Sequence, residues 1–118
     1  MNNMNNTDIL PAANEVSAIT QSTIDAHNQG IIDNAWVFLN NRVRTEIIEH
    51  AKTWDRVKAH GCSCEVPIVC KFFDTDWDLW IETIMKALRN KGYTVTLETN
   101  NNGTPQSKKL QISWAENK

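Results

Sequence analysis

Between Pro11 and Ala59 the chain has no further proline and one glycine, Gly30. A window this free of helix breakers, entered through a proline suited to a first helical turn, predicts a long helical segment. Its apolar positions recur at helical spacing in two stripes: Val16, Ile19, Thr23, Ala26, Gly30/Ile31 and Val37, then Leu39, Val43, Ile47, Ala51, Trp54 and Val57. One continuous helix over residues 13–59 would be roughly 70 Å long at 1.5 Å per residue. A compact domain of this chain length is about 35 Å across, so it cannot cover such a helix by itself. Two resolutions are open. Either the chain breaks around "AHNQGIID" near Gly30 and folds back, or the N-terminal half buries its stripe against another copy or another protein. One interior glycine costs about 1 kcal/mol relative to alanine, too little to force the break, which favours the second.

The 118 residues suffice for one domain, and 41% hydrophobic with 22% charged residues is a globular composition. A formal charge of -2 and a pI near 5.9 leave no net positive field for phosphate backbones, which disfavours nucleic acid as a partner. The opening Met-Asn-Asn-Met-Asn-Asn lacks the basic start and apolar core of a secretory signal, and no apolar run approaches the roughly 20 residues that span a bilayer. A cytoplasmic protein without a membrane segment is expected. Residues 1–10 are polar and Asn-rich and are expected to fray. They precede a helical segment over 11–60 and a small body over 61–118.

After Gly61, a helix stop, the period changes from helical to alternating. Cys62, Cys64, Val66, Ile68, Cys70 and Phe72 share one parity, which predicts a strand with an apolar face, and Pro67 either places it at a sheet edge or interrupts its pairing there. "TDWDLWIETIMKALRNKGY" reads as a helix: Thr75 and Asp78 fit a capping box, Gly92 a left-handed C-cap, and Trp77, Trp80, Ile81, Ile84 and Leu88 a buried stripe. Tyr93 to Glu98 and Lys108 to Trp114 are strands, with a polar turn, "TNNNGTPQ", between them. The expected fold is α+β, a long N-terminal amphipathic helix followed by a strand-helix-strand-strand two-layer sandwich. If the strands flanking the helix are neighbours, they should form a right-handed parallel crossover.

Three cysteines and a histidine crowd "HGCSCEVPIVC". On a straight strand Cys62 and Cys70 lie roughly 26 Å apart at 3.3 Å per residue, too far to share an ion. Cys62 and Cys64 with His60 and His50 are the weak metal candidates: the spacing is Cys-x-Cys, and no fourth ligand is apparent. Buried cysteine is the simpler reading, and no Cys-x-x-Cys motif supports redox chemistry. An odd number of cysteines argues for reduced thiols. His27 and His50 fall within the long helix, where surface or interface positions are expected. Asp74, Asp76 and Asp78 lack the glycine and distal glutamate of a calcium loop and suit the positive end of a helix dipole. No nucleophile elbow, phosphate-binding loop or HExxH is present, so neither an enzyme class nor a cofactor is indicated. Of five tryptophans, Trp54, Trp77, Trp80 and Trp114 fall on core faces, whereas Trp36 beside Val37 and Phe38 suits a protein contact. The candidate oligomer interface is Val16, Ile19, Thr23, Ile31, Trp36, Val37 and Phe38.

The helix entered through "PAANEVSAIT", the helix ending "NKGYTVTL" with Gly92-Tyr-x-Val95, and the final strand "QISW" with Ile112-Ser-Trp114 resemble small bacteriophage-encoded proteins of unassigned role. The resemblance covers most of the chain in arrangement and implies a phage accessory or virion-associated protein without known catalysis, in the host cytoplasm or the virion. It carries over no site residues. The function expected from all of this is a non-enzymatic homo-oligomeric binding or structural protein that can also contact phage or host proteins. A protein sequestering a signalling nucleotide between subunits is the alternative, and a thiol or metal enzyme using His60, Cys62 and Cys64 the third reading.

Overall fold

The computed structural model describes residues 9–100 and 107–115. Residues 1–8, which hold most of the segment expected to fray, and 101–106, the middle of the polar turn, lie outside the described residues. The chain is α+β. Helix α1 (Ala13–Phe38) leads into a π-helical turn (Leu39–Val43), then α2 (Arg44–Lys52), α3 (Trp54–His60), β1 (Ser63–Pro67), α4 (Asp74–Asn90), β2 (Thr94–Asn100) and β3 (Ser107–Ser113). It divides into two compact units, residues 1–30 and 31–118.

Of the two resolutions left open, the break near Gly30 does not occur: α1 passes through it, as a single glycine's small helical cost allows. The helical run ends instead at Thr53, whose φ of -104° and ψ of 113° are extended. No glycine or proline marks that break. Thr53 then caps α3, its carbonyl accepting from the amides of Arg56 and Val57 at 3.0 Å.

The second unit holds the core, and residues 31–43 supply part of it: Ile31, Ala35, Leu39 and Val43 are all buried. The body therefore includes the second half of the long segment rather than starting at residue 61. Those four positions are spaced by four. At about 100° per residue an α-helix lets such a run drift about 40° per step away from the core. The π turn has more residues per turn and takes that drift back, which keeps Leu39 and Val43 on the face that Ile31 began.

The sheet order is β1-β3-β2, with β3 antiparallel to both neighbours. The two strands flanking α4 are thus not paired, and the expected parallel crossover between neighbours does not occur. The registers align Cys64, Ile112 and Val95 in one row and Val66, Leu110 and Leu97 in the next, so alternate residues of three strands meet the core together. β1 is shorter than the alternation implied. It ends at Pro67, which has no amide to donate, and Ile68, Cys70 and Phe72 pack half-buried against the core outside the strand. On the other face of the sheet the Lys109 ammonium pairs with Glu65 on β1 and with Glu98 on β2, and Glu65 chiefly holds its pKa above the ordinary lysine value. Exposed pairs of this kind contribute little.

Helix α4 lays Trp80, Ile81, Ile84 and Leu88 into the core. Trp80 is 1% exposed, its indole Nε1 donates to Asn34 Oδ1 at 3.0 Å, and its ring lies 5.1 Å from that of Phe38. The helix starts two residues earlier than the expected capping box, at Asp74, and Phe73 rather than Thr75 occupies the N-cap, without a side-chain bond. The C-terminus matches expectation. Gly92 has φ of 96°, its amide donates to the Arg89 carbonyl, and the Tyr93 amide donates to the Leu88 carbonyl, the paired pattern that glycine permits at a left-handed C-cap. Trp54, expected in the core, is 70% exposed, because the break at Thr53 reorients the residues after it.

Candidate functional site

Two regions carry the sequence candidates. The first is the part of α1 within residues 13–30. Its seam positions Val16, Ile19, Thr23, Ala26 and Gly30 are all exposed, Val16 by 43% and Ile19 by 64%. The spacing of three, four, three and four is that of a helical packing seam. Thr23 Oγ1 donates to the Ile19 carbonyl at 3.0 Å, so its hydroxyl is satisfied within the helix and its methyl remains for packing. Gln21 Nε2 donates to Asp25 Oδ1 at 2.9 Å, a polar pair roughly opposite the seam. A β-carbon added at Gly30 would meet nothing within 4 Å. Gly30 also lacks the positive φ that would require glycine. The chain's own packing supplies no reason for glycine there.

The structure splits the other interface candidates. Trp36 and Val37 are 46% and 57% exposed. Ile31, 2% exposed, and Phe38, half-buried and packed on Trp80, belong to the core and are withdrawn from any exposed face. Helical spacing could not separate them, because the core face takes over from the exposed seam at the Gly30/Ile31 step.

The second region lies where α2, α3 and β1 meet. Glu46 and His50 share one face of α2, with Glu46 Oε2 and His50 Nε2 3.6 Å apart. The break at Thr53 brings His60, at the end of α3, back to His50, the ring centroids being 5.7 Å apart. His50 Nδ1 is buried without a hydrogen-bond partner. The Ser63 hydroxyl donates to the His60 carbonyl at 2.8 Å and ties the end of α3 to β1. Of the sequence candidates, His60 and His50 come together, whereas the cysteines divide: Cys62 is exposed, Cys64 is in the core, and Cys70 is half-buried. Glu46 was missed by sequence reasoning, although its i,i+4 spacing to His50 was a readable signal. Among the described residues no three His, Cys, Asp or Glu side chains are placed to hold a metal ion.

Burial pushes the Cys64 thiol up to about 11 from an ordinary 9.0, with smaller contributions from Glu46 and Glu65. Burial likewise raises Cys70. The fold favours the neutral Cys64 thiol, so its contribution to stability is complete below pH 9.0 and is lost as pH rises from there towards about 11. In native protein near pH 8, a chromogenic disulfide is expected to modify Cys62 rapidly and Cys64 only at the rate of unfolding. Fast modification of Cys64, located by peptide mapping, would contradict this placement.

A groove lined by Ile68, Cys70, Phe72, Phe73, Asp74, Trp77 and Lys108 runs beside the start of α4. Lys108 Nζ caps the Trp77 ring at 4.2 Å. Among the described residues no helix is long and apolar enough to cross a membrane. No protein family, no curated protein and no solved structure matches the chain.

Proposed function

We propose that the protein is a non-enzymatic homo-oligomeric binding or structural protein that assembles through the seam of α1. The observation that carries this reading is the exposed run Val16, Ile19, Thr23, Ala26 and Gly30 at seam spacing, with its two branched apolar side chains 43% and 64% exposed. Such a seam lowers its free energy by pairing with a like surface. The small residues at its C-terminal end, Ala26 and Gly30, let a second helix approach closely, and Gly30 then has the steric reason that its own chain lacks. The charge pattern agrees with self-association through apolar contact. No Lys or Arg precedes Arg42, and the only acidic residues between positions 13 and 30 are Glu15 and Asp25. Apart from His27, two copies of this segment therefore have no opposite charges with which to pair. The resemblance to small phage-encoded proteins supports a phage accessory or virion-associated role for the assembly.

Light scattering coupled to size-exclusion chromatography tests the reading. A mass of two or more times the 13.5 kDa chain is expected. It should persist at low and high salt alike, because the seam holds no ion pairs and salt screens the repulsion between acidic helices. A single-chain mass across micromolar concentrations would overturn it.

A further inference from the structure

We infer that the second copy seats on the α1 seam antiparallel, about a two-fold axis at Thr23 that sets the Val16 and Ile19 end of each chain against the Ala26 and Gly30 end of the other. The inference rests on assembly through the seam and adds the direction of the partner. The seam tapers: branched Val16 and Ile19 stand at its N-terminal end, a methyl group at Ala26 and bare backbone at Gly30 at its C-terminal end, all of them exposed. Thr23 lies midway, seven residues from Val16 and seven from Gly30. The distance between two packed helices, about 8–10 Å, follows the side chains between them. Parallel copies would place large beside large at one end and small beside small at the other. No single spacing then closes both ends, and a gap forfeits contacts. Antiparallel copies put one large and one small residue in each layer, so an even spacing fills the whole seam.

A steep crossing centred on Ala26 and Gly30 is the other way to use the small residues. It leaves Val16, about 21 Å along the helix from Gly30 at 1.5 Å per residue, in water, so it buries less of the apolar seam. Charge acts in the same direction. Glu15 is the acidic residue in the first turn of α1. A parallel pair brings both copies of it, and both positive helix ends, to one place, whereas an antiparallel pair separates the two glutamates by about 24 Å along the axis.

The test is pulsed dipolar spectroscopy on full-length protein spin-labelled at Ala13→Cys in a Cys62→Ser, Cys70→Ser background, with the mass of the same sample read by sedimentation. Ala13 and Cys62 are exposed, Cys70 is half-buried and Cys64 stays unlabelled in the core, so the protein should fold, as circular dichroism would verify. Residue 13 lies ten residues before the axis, so the two labels are expected about 30 Å apart. Parallel copies would hold them within about 15 Å. A second reading needs no label. Val16→Glu and Gly30→Lys change exposed positions, and a side chain at Gly30 meets nothing within 4 Å. Each is expected to weaken association about tenfold or more, and the double variant to associate more tightly than either, because each glutamate then faces a lysine. In particles of more than one chain, a label separation not centred near 30 Å, or a double variant no tighter than the single ones, overturns the orientation and leaves the assembly standing. A single-chain mass at every concentration overturns both.

Discussion

Ile19→Asp is expected to dissociate the assembly while leaving the body's stability unchanged. Ile19 is 64% exposed in the single chain, so the substitution removes no internal packing. In a paired seam its side chain would be buried, and burial of an isoleucine contributes about 1.5–3 kcal/mol. Each copy carries the change, and the aspartate adds the cost of desolvating a charge, so association should weaken roughly a hundredfold or more at 1.4 kcal/mol per decade. Thermal unfolding followed at 222 nm at concentrations where both proteins are monomeric should stay within about 0.5 kcal/mol, the usual range for surface changes. Sedimentation equilibrium reads the association constant directly. An unchanged constant removes the seam from the interface, whatever the mass of the parent protein.

Trp80→Ala should cost the body about 3–5 kcal/mol, as expected for emptying a fully buried aromatic site. Against a typical total of about 5–15 kcal/mol, that leaves a marginal or unfolded domain. The ring is 1% exposed, stacks on Trp77 at 5.8 Å, meets Phe38 in a tilted contact at 5.1 Å, and is the largest fully buried side chain of the core. Trp80→Phe separates packing from polarity. It keeps most of the volume and loses the bond to Asn34, whose exposed side chain can turn to water, so about 1 kcal/mol is expected. Urea unfolding monitored by circular dichroism measures both. An alanine variant within 1 kcal/mol of the parent would mean that the site collapses around the gap or that Trp80 is not buried.

Where local signals were strong, the elements were readable from the residues. Gly92 and the Trp80, Ile81, Ile84, Leu88 stripe defined α4, and alternation defined β2 and β3. The breaks were less legible. Gly30, the weak helix residue, lies inside α1, whereas Thr53, unremarkable by propensity, ends α2, because tertiary packing overrides preferences of about 1 kcal/mol or less. Strand order could not be read either, since period-two patterning tells which face is buried and not which strand is the neighbour. The exposed seam was legible up to Gly30, and Ile31 and Phe38 were assigned to it because the same spacing continues into the core. The i,i+4 spacing of Glu46 and His50 was readable, whereas the approach of the His60 ring to His50 depends on the break at Thr53, which no residue announced.

The place of β3 between its two partners bears on how the body matures. Both β1 and β2 precede it in the chain, so a ribosome releases two strands that have nothing to pair with until the third emerges. The α1 seam, by contrast, precedes all three strands in the chain, and the hydrogen bonds of its helix are local. Neighbouring nascent chains on one messenger could therefore meet through their helices before either sheet has closed.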